Sequence, residues 1–144
     1  MNDNKKKALV LAGSRGIGKA IANALEETAF LDVDALSSQQ LDTSDLDACM
    51  DLCNHYKSVD VLVLNTGGPP AKDFADISLG DWNKYHNQLF LGFALILQNI
   101  KINDGGFVFL ISSYNIKEPD VKLVLSNTYR IASASLLKSL APSF

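Results

Sequence analysis

Disulfide chemistry has almost nothing to work with here: the 144 residues contain two cysteines, Cys49 and Cys53. Two thiols so close together on a helical stretch make no disulfide framework. With His55 nearby they form three of the four ligands a structural zinc needs, and no second cluster completes the set, so packing is expected and no metal site. Excess positive charge is missing too. Lys plus Arg number 13 against 16 Asp plus Glu, for a net charge of −3. The only basic run is Lys5-Lys6-Lys7, so no cationic field invites a nucleic acid. Long apolar runs are absent as well. No stretch approaches the roughly 20 apolar residues of a membrane span. The apolar segment Ala8–Ala12 is too short for a secretory leader and is broken at once by Gly13-Ser14-Arg15. A soluble, cytoplasmic protein is expected.

What is present is a core: 47% hydrophobic residues with 20% charged, ordinary for one folded domain spanning residues 1–144. Apolar runs at 7–12, 31–36, 60–65 and 106–112 alternate with helical patterns at 16–28, 44–56, 79–101 and 122–140. Strictly alternating strands and helices predict a parallel sheet wrapped on both faces, a Rossmann-type, doubly wound, three-layer α/β/α fold. The runs Val61–Leu64 and Phe107–Ile111 are continuous, as strands covered on both faces are, which predicts both in the middle of the sheet. In the helix near 44, Leu46, Cys49, Met50 and Cys53 share one face, with Thr43 and Ser44 available as caps.

The chemistry-bearing motif is Ala12-Gly13-Ser14-Arg15-Gly16-Ile17-Gly18, placed where a buried strand ends and a helix carrying Ile21 and Leu25 begins. Glycine is needed there because a Cβ would hold a phosphate away from the backbone amides, and the helix N-terminus adds partial positive charge. Gly13 through Lys19 also satisfies the Gly-x-x-x-x-Gly-Lys loop of nucleoside triphosphatases. That reading meets two obstacles. Ala20 stands where a hydroxyl would bind magnesium, and the strand at 60–65 ends in Asn65 rather than an aspartate.

These residues resemble the short-chain dehydrogenase/reductase family, whose glycine motif runs Gly-x-x-x-Gly-x-Gly. Gly16 and Gly18 match its last two glycines, and Ala12 takes the place of the first. Leu64-Asn65-Thr66-Gly67-Gly68 looks like the family's Asn-Asn-Ala-Gly turn beside the adenosine ribose. Asp42 resembles the acid that receives the adenine amino group, and Asn87 the helix asparagine that holds a catalytic water. The resemblance implies a nicotinamide dinucleotide and a small-molecule carbonyl or secondary alcohol substrate. Enzymes of this architecture that use NAD place an acid after the second strand. This chain has Ser37 and Ser38 there, with Arg15 able to meet a 2′-phosphate, so NADP(H) is favoured, while Asp34 keeps NAD(H) open.

The family also carries a Ser that hydrogen-bonds the substrate carbonyl, followed by a Tyr and, four residues on, a Lys. A carbonyl accepting hydride needs a proton, and a nearby cation lowers the tyrosine pKa enough to supply it. Ser113 matches the Ser. The positions of Tyr and Lys hold Ser126 and Arg130. Arg130 keeps a positive charge for the nicotinamide ribose, but Ser126 is a poor acid. The nearest phenol on that helix is Tyr129, about 60° from Ser126 around the axis.

Two further expectations come from the resemblance. The segment 37–42 leaves no room for the helix that usually joins the second and third strands. The family continues well past Phe144, so the last strand is expected to leave an apolar edge, either because the sequence is a fragment or because something pairs with it. Family members associate through the helices at 79–101 and 122–140 as homodimers or homotetramers; Leu89, Phe90, Phe93 and Ile96 would serve that contact or the core. The function implied is an oxidoreductase with Ser113, Asn87, Arg130 and Ser126 or Tyr129 in its site. The alternative is a dinucleotide-binding protein that has lost catalysis and acts in sensing or assembly.

Overall fold

A computed structural model describes residues 5–144. Four parallel strands form one sheet in the order β2-β1-β3-β4, namely β1 (Lys6–Val10), β2 (Leu31–Ala35), β3 (Ser58–Leu64) and β4 (Lys101–Leu110). The helices are α1 (Gly16–Glu26), α2 (Leu46–His55), α3 (Leu79–His86), α4 (Gly92–Asn99) and α5 (Val124–Leu140). The alternation read from the sequence is therefore the topology, an α/β Rossmann-type sheet.

Apolar residues on both faces of β1 and β3 explain why these strands lie in the middle. Ala8, Val10, Val61 and Val63 pack with Ala22 beneath α1. Leu9, Leu11, Leu62 and Leu64 face the other way onto Cys49, Cys53, Phe93 and Ile96 of α2 and α4. The two thiols are thus core groups, and burial pushes the Cys49 pKa up to about 11. Leu89, Phe93 and Ile96 are 1%, 2% and 0% exposed, so three of the four residues considered for a dimer contact belong to the core.

Three local expectations are corrected. The cap of α2 is Asp45, whose carboxylate accepts from the Ala48 amide at 3.0 Å. Thr43 and Ser44 cannot cap, because their hydroxyls go to the Gln88 carbonyl and to Asp42. The helix at 79–101 is interrupted: Asn87–Leu91 is a π segment in which the Gly92 amide reaches back to the Asn87 carbonyl. β4 begins at Lys101, five positions before the apolar run, because a bulge opposite Asp60, with Gly105 at φ +73°, carries the strand past Asn103-Asp104-Gly105-Gly106.

Residues 37–41 form a tight turn, closed by the Gln40 and Leu41 amides on the Ser37 carbonyl, but β2 and β3 are joined by a helix after all, since α2 (Leu46–His55) follows that turn. β4 is an edge strand with one face open, so of the two strands expected in the middle of the sheet only β3 lies there. Phe107 and Phe109 stack there with centroids 6.2 Å apart and remain 61% and 48% exposed. No helix among the described residues is long and apolar enough to cross a membrane.

Candidate functional site

The turn after β1 carries the strongest constraints in the structure. Ala12 sits at φ +48° and Gly16 at φ +55°, both in the left-handed region. A Cβ on Gly18 would lie 2.0 Å from the Ala12 carbonyl oxygen and 2.8 Å from the Asn65 side chain, so α1 approaches the strand end as only glycine allows. Asn65 donates its amide to that same Ala12 carbonyl at 3.3 Å, tying the end of β3 to the glycine turn. No acidic residue stands in the first turn of α1, and Arg15 at its N-cap makes no side-chain capping bond, so the first amides of the helix are without a side-chain cap. Gly13, packed against Ala35, is buried, while Ser14, Arg15 and Ile17 are exposed.

Beside this turn lies a cavity of about 350 Å³ whose walls include Ala12, Arg15, Ser38, Asp42, Asn65, Thr66, Gly67, Lys84 and Gln88. The serine at its wall is Ser38. Ser37 is spent on the tight turn, its amide held by Gln40. Asp42 holds the Ser44 amide and hydroxyl on one carboxylate oxygen at 2.9 and 2.7 Å, leaving the other free. Asp34 stands away from this cavity. Its carboxylate accepts from Lys7 at 3.0 Å and from the Tyr56 hydroxyl at 2.6 Å. Burial works to raise the Asp34 pKa, but those two hydrogen bonds and the Lys7 charge bring it below the usual carboxylate value.

The second constellation sits at the C-terminal end of β4. Arg130 donates from Nε to the Ser126 hydroxyl at 3.0 Å and from Nη1 to the Ile111 carbonyl at 3.4 Å. A Cβ on Gly68 would stand 3.3 Å from Nη2, so the guanidinium lies directly under the Gly67-Gly68 turn. No carboxylate pairs with it among the described residues, and burial lowers its pKa below the usual guanidinium value. Ser126 is 7% exposed. Ser113 accepts the Asn115 amide at 3.2 Å as the cap of a short 3-10 turn, Tyr114–Ile116, and keeps its own proton to donate. The adjacent Ser112 hydroxyl is buried without a partner, next to Arg130 and Ser133.

Ser113, Ser126 and Arg130 are therefore brought to one end of the sheet. Asn87 and Tyr129 are not. The Asn87 amide points across to the Ser44 carbonyl at 3.4 Å. The carbonyl that faces α5 belongs to Leu89 and accepts the Ser133 hydroxyl at 2.5 Å. Tyr129 aims its hydroxyl at the Trp82 carbonyl, 3.4 Å away, and packs edge-on against Trp82 and His86 at 6.0 and 5.5 Å. Burial raises its pKa, opposite to what a tyrosine acid near neutral pH requires. Gln88 is not legible as a site residue, since nothing in the sequence marks a π segment, and Lys84 and Thr43 reach the cavity wall only through the tertiary fold.

No protein-family model and no curated protein sequence matches this chain. Solved structures do. A small-chain dehydrogenase superposes with a TM-score of 0.85 at 24% identity, covering 96% of this chain and 76% of its own. The fold is that of the short-chain dehydrogenases. A second small-chain dehydrogenase, in complex with NADPH, gives 0.83 at 23% identity, covering 96% of this chain and 65% of its own. A short chain dehydrogenase from Burkholderia cenocepacia in complex with NADP gives 0.80 at 24%, covering 96% and 69%. This chain thus spans between 65% and 76% of the length of these three dehydrogenases.

Proposed function

We propose that the chain is a single dinucleotide-binding domain of short-chain dehydrogenase type, an NADP(H)-dependent oxidoreductase interconverting a carbonyl and a secondary alcohol. The observation that carries this reading is the glycine turn, where Gly18 admits no Cβ and where Ala12 and Arg15 line a cavity of about 350 Å³. The residues fit the cofactor. The three amides would hold its pyrophosphate, the free oxygen of Asp42 would take the adenine amino group, and Asn65, Thr66 and Gly67 would flank the adenosine. Arg15 and Ser38 offer a cation and a hydroxyl to a 2′-phosphate, and Asp34, whose Oδ2 accepts from Lys7 and Tyr56, does not line the cavity where a ribose diol would lie. This supports NADP(H) over NAD(H), as do the neighbours holding NADPH and NADP.

When bound, the nicotinamide supplies the hydride. Arg130 would hold the sugar hydroxyls beneath Gly68, and the hydroxyls of Ser113 and Ser126 would donate to the substrate oxygen. Neither serine ionises near neutral pH, so they stabilise charge at that oxygen rather than deliver its proton. Two free thiols support a reducing compartment such as the cytoplasm. Exposed Ile131, 51% accessible, supports self-association through the outer face of α5. The test is titration with NADPH and with NADH by nicotinamide fluorescence and thermal shift: NADPH should bind more tightly, and no binding of either would overturn the reading.

One observation favours a second reading. Ser126 occupies the position of the acid and Tyr129 is directed at Trp82, which supports a dinucleotide-binding protein without turnover, serving as a sensor or assembly partner. NADPH binding without reduction of any carbonyl in a broad panel would select it.

A further inference from the structure

The π segment Asn87–Leu91 does something specific at the cavity. An i to i+5 turn holds one residue more than an α turn, and such insertions reorient side chains and free backbone groups. Here the Gln88 carbonyl accepts the Thr43 hydroxyl at 2.9 Å. The Gln88 side chain crosses to the turn after β3, where Nε2 donates to the Thr66 hydroxyl at 3.2 Å and to the Gly67 carbonyl at 2.9 Å. The amide orientation is forced, because the reverse would set Oε1 against the Gly67 carbonyl. With both hydrogens of Nε2 used, Oε1 turns the other way and has no protein partner among the described residues, while Gln88 lines the cavity.

We propose that Gln88 is a positioning residue for the adenosine half of the dinucleotide. It holds the Thr66-Gly67 turn against the ligand and offers Oε1 to the cavity as an acceptor. Thr43, 4% exposed and linked to both Gln88 and Thr66, locks the arrangement from below. The inference rests on the NADP(H) reading above.

The experiment measures affinity for NADPH, for 2′,5′-ADP and for reduced nicotinamide mononucleotide in wild type, Gln88→Met and Thr66→Val. Gln88→Met keeps the length of the side chain and removes both donors and the acceptor. It should weaken NADPH and 2′,5′-ADP by roughly tenfold each, the worth of one or two hydrogen bonds, and leave the mononucleotide within about twofold. A merely structural role would instead weaken all three ligands together. Thr66→Val should cause a similar loss, and the double variant should be no worse than the single ones. Wild-type affinity for 2′,5′-ADP in Gln88→Met overturns the proposal; if that variant fails to fold, the same result in Thr66→Val does so. A wild-type chain that binds no NADPH overturns instead the reading on which it rests.

Discussion

Arg130 and Ser126 stand one helical turn apart on α5 and are joined by a hydrogen bond of 3.0 Å, from the guanidinium Nε to the hydroxyl oxygen. The bond uses the serine as an acceptor and leaves its proton directed elsewhere. It also fixes a desolvated cation beneath the Gly67-Gly68 turn. The pair provides charge and a donor but no group that titrates near neutral pH.

Restoring such a group is the direct test of lost catalysis. In the proposed enzyme, Ser126→Tyr with Arg130→Lys should raise NADPH-dependent reduction of a small ketone by about a hundredfold or more, the usual scale of general acid catalysis. Initial rates at saturating NADPH measure it. Unchanged rates with cofactor still bound would point to the sensor or assembly reading.

Tyr129 should behave as a packing residue. Tyr129→Phe removes only a long hydrogen bond to the Trp82 carbonyl and should leave both turnover and cofactor affinity unchanged. Tyr129→Ala, which empties the space against Trp82 and His86, should lower stability by about 1–3 kcal/mol in a denaturant titration. A large loss of turnover in Tyr129→Phe would restore the phenol to the site.

Ala12 holds a left-handed backbone, φ +48°, that costs a residue with a Cβ about 1–2 kcal/mol. Glycine at that position relieves the strain but gains about 0.5–1 kcal/mol of unfolded-chain freedom. Ala12→Gly should therefore raise the thermal midpoint by about 1–4 °C. A drop would mean that the turn relaxes by some other route.

Cofactor choice is expected to lie with Arg15. Arg15→Ala should weaken NADPH by about tenfold, the lower end for a charge-assisted hydrogen bond at an exposed side chain, and leave NADH nearly unchanged. Parallel titrations decide it, and equal losses for both cofactors would move the arginine to the pyrophosphate.

Acid stability should depend in part on Asp81. The Lys72 ammonium and the amide and hydroxyl of Ser78 hold its pKa down at about 2, against the usual 3.8. A folded-state pKa below the unfolded one gives stability that is present above 3.8 and lost as pH falls toward about 2. Thermal midpoints of wild type and Asp81→Asn should therefore converge over that interval. Parallel curves would show that the contacts of Asp81 with Ser78 and Lys72 carry no charge-dependent part.

Much of this fold is legible in sequence because burial on both sides of a strand leaves a continuous apolar run, as at Val61–Leu64, and because a glycine turn between strand and helix has few alternatives. Ser113 and Arg130 could be placed by spacing along a strand end and a helix. Gln88 could not, since the π segment has no compositional mark and its partners, Thr43 and Thr66, lie far from it in the chain. The shift from Ser37 to Ser38 and from Thr43 or Ser44 to Asp45 are single-residue choices made by hydrogen bonds. Local pattern does not resolve those. Asp34 lies outside the cavity wall, with Lys7 and Tyr56 from elsewhere in the chain on its Oδ2, an arrangement that local sequence does not encode.

The π segment also bears on how this chain can change its length. Because the turn from Asn87 to Gly92 holds one residue more than an α turn, deleting a single residue there would restore an ordinary helix while keeping Tyr85 on one side and Phe93 and Ile96 on the other in phase with the core. Elsewhere in α3 or α4 the same deletion would rotate every later side chain by about 100° and expose the core face. Residues 87–91 are thus a point where a one-residue deletion alters the cavity wall and spares the fold.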